Sequence, residues 1–260
     1  MADHCVTPCR LLIDPPADGA WNMAVDEALW RGSAQGGGCC WRFYAWSRPT
    51  LSLGYFQSYD DRGTHRASRD CPAVRRPSGG GAIVHDNELT YSLVLPTTHP
   101  LAARRSPLYE AVHAALIDAL GEIGVVATLC RRRVEPPARQ ALLCFQRRTP
   151  GDVLLGDAKI AGSAQRRSRA AVLQHGSVLL ARSCAAPELA GIEDLAPVCL
   201  APAQLISAWL PRLSRRLGLV FQPDALDRAE LRQAEMLVQT KYGSPRWTRG
   251  RGREGPDTEA

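Results

Sequence analysis

Lysine is almost missing from this chain. Of the 32 lysine and arginine residues among 260, only Lys159 and Lys241 are lysine, which leaves thirty arginines. Arginine stays protonated and forked, whereas lysine is a compact charge that can shed its proton when desolvated. Each surviving lysine therefore marks a place where arginine is not an equivalent. Long apolar runs are missing too: none approaches the ~20 residues that cross a bilayer. The first residues, MADHCVTPCR, lack the basic-then-apolar order of a secretory signal, so the expectation is a cytoplasmic protein with no membrane partner. The nine cysteines, at positions 5, 9, 39, 40, 71, 130, 144, 184 and 199, contain no Cys-x-x-Cys pair. Their odd number and scatter argue against a disulfide framework and against a structural zinc site, so no metal is expected. Free thiols, mostly packed as small apolar residues, are the default. A phosphate-binding P-loop is absent as well: in Gly151…Gly156 no lysine follows the second glycine, and Lys159 has no Ser or Thr after it. No repeat or compositional break divides the chain.

What is present is ordinary in bulk, 45% hydrophobic and 22% charged, with a formal charge of +6. That balance suits nucleic acid or an acidic protein partner. Locally the chain is less ordinary. Arg75-Arg76-Pro77-Ser78-Gly79-Gly80-Gly81-Ala82-Ile83-Val84-His85-Asp86 sets three glycines between two arginines and a His-Asp pair. Consecutive exposed N–H groups in such a turn make a concavity for an anion or a polarised carbonyl oxygen. Leu89-Thr90-Tyr91-Ser92-Leu93-Val94-Leu95 alternates and predicts a strand leading away from that loop.

Around this stretch the periodicities predict a helix over 19–31, a strand over 41–46 with residues 50–55 as its hairpin partner, and a helix from Ser106-Pro107 to about Gly124. Residues 131–141 read as a surface loop, and 141–145 as a short apolar segment carrying Cys144. Residues 151–167 read as two strands turning at Gly156-Asp157, and 172–180 as another strand. Two helices follow, one striped by Leu205, Ile206, Trp209, Leu210, Leu213 and Leu217, the other from about Asp224 to Gln239. Residues 1–247 are expected to form one unit and 248–260 a basic, disordered tail. Arg246 to Arg253 lack interleaved aromatics beyond Trp247, so nucleic acid is not expected as a partner.

Four blocks taken together resemble a known family: Asn22–Ala28 (NMAVDEA), Tyr44–Gln57 (YAWSRPTLSLGYFQ), Arg75–Pro96 (RRPSGGGAIVHDNELTYSLVLP) and Lys159–Gly176 (KIAGSAQRRSRAAVLQHG). In this order and spacing, with Lys241–Trp247 behind them, they are similar to the biotin/lipoate protein ligase catalytic-domain family. The likeness is to its branch of lipoate-protein ligases and cysteine-dependent octanoyltransferases. It implies an α/β (α+β) fold, a single domain whose central, largely antiparallel sheet is flanked by helices, of the class II synthetase and biotin ligase kind. It also implies a narrow apolar tunnel for an eight-carbon acyl chain.

Within that branch two chemistries compete. A ligase makes acyl-AMP from free lipoate, with ATP and magnesium. A cysteine-dependent transferase takes octanoate from acyl carrier protein onto its own thiol and passes it to the lysine of a lipoyl domain, needing no cofactor. The acceptors would be lipoyl domains such as the glycine cleavage H protein or the E2 component of 2-oxoacid dehydrogenases. A relative of both moves octanoyl between two lipoyl-type proteins. Cys144-Phe145, fifteen residues before Lys159, sits where the transferases resembled here carry a nucleophilic Cys-Phe pair. Asp157-Ala158 stand where the family often has a basic residue, which removes a phosphate contact and tells against the ligase. The resemblance thus casts Cys144 as nucleophile and Lys159 as its activator. Arg76, Ser78, Gly79, Gly80, Gly81, His85, Gly162 and Ser163 are cast as substrate-binding. Carrier proteins are typically acidic, which gives the positive surface a use in steering them.

Overall fold

A computed structural model describes residues 7–103, 105–134 and 142–250 of the chain. The expected loop from 135 to 141, Cys5, and the tail beyond 250 lie outside the described residues. The first half runs β1 (Thr7–Ile13), α1 (Gly19–Ala34), β2 (Cys39–Tyr44), β3 (Thr50–Leu53), β4 (Ala73–Arg75), β5 (Ile83–His85), β6 (Glu88–Pro96), α2 (Arg105–Glu122) and β7 (Thr128–Leu129). After it come β8 (Val153–Leu155), β9 (Ala158–Arg167), β10 (Ala171–Leu179), α3 (Ile192–Leu195), α4 (Pro202–Leu217), β11 (Leu219–Pro223), α5 (Arg228–Leu237) and α6 (Pro245–Arg249).

Among the described residues the strands make a large sheet in the order β11-β1-β2-β6-β10-β9-β8-β7 and a small one in the order β4-β3-β5. In the large sheet only the steps β11–β1 and β1–β2 are parallel; every step from β2 to β7 is antiparallel. Leu89, Tyr91, Leu93 and Leu95 of β6 share one core with Trp41, Phe43, α2 and Trp209 of α4. The opposite face, through Tyr44, Val94 and Leu173, packs on Met23, Val25 and Leu29 of α1 and on Ala234 and Leu237 of α5. The result is a mixed α/β fold, its large central sheet flanked by helices on both faces.

Coverage on both sides changes what alternation means. Thr90 and Ser92, the polar half of β6, are as buried as its leucines. Helix α1 is likewise buried through Asn22, Asp26 and Glu27 as well as Val25, Ala28 and Leu29. Polar groups inside must be hydrogen-bonded, so these positions build networks rather than a wet face.

Three differences from the sequence reading have local causes. The segment 50–55 is not the hairpin partner of β2, because β2 already has β1 on one edge and β6 on the other. Its strand, β3, pairs instead with β4 and β5. Strand β1 and the edge strand β11 beside it had no clear pattern, since Pro8, Arg10 and Pro223 interrupt them. Helix α6 extends past the expected boundary at Trp247: Thr248 is buried, and its carbonyl accepts from Arg75 Nη2 at 2.8 Å.

Small and large sheets meet at the glycine-rich loop. That loop joins β4 to β5 and folds over the end of β3, where Gly54 leaves no room for a side chain. A Cβ there would lie 2.0 Å from the Gly80 carbonyl oxygen.

Candidate active site

Arg76, fully enclosed behind the glycine loop, holds it in shape. Its Nη2 donates to the carbonyls of Gly79 at 2.8 Å and Gly81 at 2.7 Å, and its Nη1 to the Ser52 carbonyl at 3.1 Å. Gly80 is at φ +96°, a conformation that favours glycine, and a Cβ would stand 3.0 Å from Arg76 Nη2. With the carbonyls drawn back to Arg76, the N–H groups of Gly79, Gly80 and Gly81 donate to no protein acceptor among the described residues. Burial lowers the Arg76 guanidinium to about 10, and the nearby Cys144 works against that fall.

Cys144 is stitched to the same loop through backbone. Ala82 donates to the Leu142 carbonyl at 3.0 Å, and Cys144 donates to the Ala82 carbonyl at 2.7 Å. Gly81 allows this closeness: a Cβ would meet Cys144 Cα and N at 3.1 Å. A single turn of 3₁₀ helix, Cys144–Gln146, then aims the thiol inward.

Lys159 arrives from the other sheet. Its Nζ lies 3.7 Å from Cys144 Sγ and 2.9 Å from Asp152 Oδ2, and 5.2 Å over the Phe145 ring. Asp152 is fixed in turn by the Tyr109 hydroxyl at 2.7 Å, the Thr149 backbone N–H at 2.7 Å and the Thr149 hydroxyl at 3.0 Å. Gly162 gives the lysine stem room to fold back, since a Cβ would sit 2.5 Å from Lys159 Cε. A thiol, an ammonium and a carboxylate thus stand in line beneath three unfilled N–H donors.

The site opens on a small cavity lined by residues such as Gly79, Gly80, Cys144, Phe145, Gly162 and His175. Polar groups in and behind its walls are already satisfied. Ser78 Oγ meets His175 Nε2 at 2.5 Å, and His175 Nδ1 donates to Asp26 Oδ2 at 3.1 Å. Burial alone would raise the Asp26 carboxyl, but the His175 bond and the Arg42 charge outweigh it and hold it below its usual range. His85 stacks on Trp46 with centroids 3.9 Å apart and bonds Ser52 Oγ at 2.7 Å and Glu88 Oε1 at 2.5 Å. It lines the cavity without a hydrogen bond to the glycine loop. Ser163 also lines the cavity, yet its hydroxyl is committed to Tyr91 at 2.6 Å and His113 Nε2 at 2.7 Å.

Every residue singled out from the sequence therefore lies at one place, but two hydroxyls, Ser78 and Ser163, serve neighbouring histidines. Asp152, Tyr109, His113 and His175 were not read as site residues from the sequence. A hairpin turning at Gly156-Asp157, with a register shift between Val153 and Leu154, brings Asp152 opposite the start of the Gly162-Ser163 pair, and that shift is not legible in the sequence. Tyr109 and His113 are four apart on α2, one face of a helix. Among the described residues no group of His, Cys, Asp or Glu is placed to hold a metal ion.

Comparison with known proteins gives the family and the relatives of the chain. Residues 18–187 match the model of the lipoyl protein ligase A/B catalytic domain. The chain is 34% identical to octanoyltransferase LipM of Symbiobacterium thermophilum over 93% of its own length and 98% of that protein's. In fold it is similar to a lipoate-protein ligase A bound with ATP, with a TM-score of 0.74, 21% identity, and 94% and 99% of the two chains covered. A bipartite lipoate protein ligase of Thermoplasma acidophilum, studied with its E2 lipoyl domain, gives 0.73 at 22% identity, covering 95% of this chain and 97% of that one. Site geometry and sequence likeness converge, and the chain belongs to the lipoyl protein ligase A/B catalytic domain family.

Proposed function

We propose that this protein is an octanoyltransferase that carries octanoate from acyl carrier protein, through a thioester on Cys144, to the lysine of a lipoyl domain. The observation that carries the reading is the 3.7 Å approach of Lys159 Nζ to Cys144 Sγ, under the glycine loop. A ligase that makes an acyl-adenylate has no use for a thiol at that point.

In the first half-reaction the Cys144 thiolate, with the Lys159 ammonium as counter-ion, attacks the octanoyl thioester carbonyl. Negative charge develops on that oxygen, and the N–H groups of Gly79, Gly80 and Gly81 are the donors prepared for it. Collapse breaks the bond to the carrier's sulfur, which leaves as a thiol with the proton from Lys159. In the second half-reaction the neutral amine of the acceptor lysine attacks the Cys144 thioester. An amide forms, Cys144 leaves as thiolate, and the amine's surplus proton returns to Lys159. Asp152 keeps Lys159 aimed at the sulfur through both halves. The acyl tail enters the cavity, where burying each methylene contributes about 0.8 kcal/mol. No nucleotide is consumed.

Intact mass spectrometry after incubation with octanoyl-carrier protein tests this. The wild type gains one octanoyl group and Cys144→Ser gains none. A wild type that stays unmodified, yet releases AMP when given lipoate, ATP and magnesium, overturns the reading in favour of the ligase. An undiminished adduct in Cys144→Ser removes Cys144 as the nucleophile.

A further inference from the structure

Arginines elsewhere in this protein are mostly occupied. Arg42 is paired with Asp14 and Asp26, Arg76 with loop carbonyls, Arg148 with Asp157, and Arg216 with Asp118. Arg166 differs. Its guanidinium lies 5.8 Å from the Trp30 ring centroid and 5.3 Å from that of Tyr55, held between two aromatic rings. Its Nε is buried with no hydrogen-bond partner, and among the described residues it makes no ion pair. A cation set beside two aromatic rings is oriented by them while its guanidinium makes no hydrogen bond to the protein among the described residues, which leaves it able to take an anionic acceptor.

Its position says what that acceptor is. Side chains alternate along a strand, so Gly162, Ala164 and Arg166 of β9 share a face. The first two line the cavity, and Gly162 touches the Lys159 stem. Tyr55 ties the other side of the clamp to the glycine loop through its N–H bond to the Ser78 carbonyl at 2.9 Å. Arg166 lies four strand steps beyond Gly162, about 13 Å along the backbone. An acyl-adenylate carries its phosphate directly on the acyl carbonyl, far short of that. In a phosphopantetheine thioester about thirteen bonds separate sulfur from phosphorus, about 15 Å when extended.

We propose that Arg166, clamped by Trp30 and Tyr55, binds the phosphodiester of the phosphopantetheine arm on the acyl donor. The inference rests on the octanoyl-transfer reading and adds a substrate-binding residue for the donor half-reaction only. With the phosphate held there, the arm lies along β9 and delivers its thioester to Cys144. The charge-assisted bond orients the donor before any chemistry occurs.

The test compares acylation rates of the wild type, Arg166→Ala and Arg166→Met, the last keeping the stem packed between the rings. Three donors are used below saturation: octanoyl-carrier protein, octanoyl-phosphopantetheine and octanoyl-pantetheine, which lacks the phosphate. Both variants should lose about tenfold to a hundredfold with the two phosphate-bearing donors and keep wild-type rates with octanoyl-pantetheine. Equal loss on all three donors makes the residue structural and overturns the proposal. Loss confined to the carrier protein places the anion on that protein's surface and also overturns it, as does no loss at all. A wild type acylated by none of the donors sinks the transferase reading itself, and this inference with it.

Discussion

Lys159 and Cys144 face each other across 3.7 Å but are held in opposite ways. Lys159 rises from a strand in the large sheet, and its charged end is fixed by Asp152, itself anchored by Tyr109 and Thr149. Side chain supports side chain there. Cys144 belongs to a short turn tied to Ala82 by backbone bonds, and among the described residues the hydrogen-bond contact of its sulfur is with Lys159. The charge partner is thus pre-oriented on a rigid element, while the nucleophile's aim depends on how one loop seats against another. In the proposed reaction, precision on the first side limits the cost of moving charge, and a thiol seated only by its loop would serve a carrier in one step and a lysine in the next.

If the two act as one unit, the largest effects come from removing either, and they do not add. Cys144→Ser and Lys159→Met should each lower octanoyl transfer by about three orders of magnitude, and the double variant by little more than either alone. Losses that multiply would separate the two residues and break the comparison. A step below, Gly162→Ala puts a methyl 2.5 Å from Lys159 Cε and 2.8 Å from its Nζ. The stem is flexible, so the lysine moves and the fold does not. Steady-state rates should fall about a hundredfold with thermal stability nearly unchanged. Gly81→Ala acts on the other side, where the methyl meets backbone of Cys144 and Leu142 at 3.1 to 3.2 Å. Backbone must shift, so that variant should lose about tenfold in rate together with about 1 to 3 kcal/mol in denaturant unfolding. A stable, fully active Gly81→Ala would mean the nucleophile's turn is not seated by that contact.

How much of this was readable beforehand follows the same division. Arg75 through Asp86 could be read as a loop because its backbone demands lie in consecutive residues, whereas the roles given to the Cys-Phe pair and to Lys159 came only from the family resemblance. The strand 89–95 and the helix 19–31 were visible from period alone. What could not be read are groups whose meaning comes from a partner far along the chain. Asp26 lies 149 residues from the histidine it orients, and His113 lies 50 residues from Ser163. Ser78 looked like a ligand donor and turned out to serve His175, since only the folded register of β10 brings that ring to the loop. The supposed hairpin after β2 failed for a similar reason: sequence adjacency predicted pairing, and two remote strands had already filled both edges.

An effect on stability alone concerns His113, which sits behind the rigid side of the site. Its Nδ1 donates to the Gly151 carbonyl at 2.6 Å, so its Nε2 is the acceptor for the Ser163 hydroxyl at 2.7 Å, and the ring is neutral. Burial lowers its pKa to about 4, against an ordinary 6.5; the Gly151 carbonyl pulls the other way and does not prevail. Above pH 6.5 the ring is neutral both folded and unfolded, and the histidine adds no pH dependence. Between 6.5 and 4 the unfolded chain binds a proton that the folded one refuses, so stability falls as the pH is lowered through that window. The loss amounts to roughly 3 kcal/mol by pH 4. Urea unfolding at pH 7 and pH 5 should show part of this loss in the wild type and less of it in His113→Gln. If the two proteins lose stability in parallel, His113 is charged in the fold. The Tyr91–Ser163–His113 chain that backs the lysine strand would then run in the opposite sense.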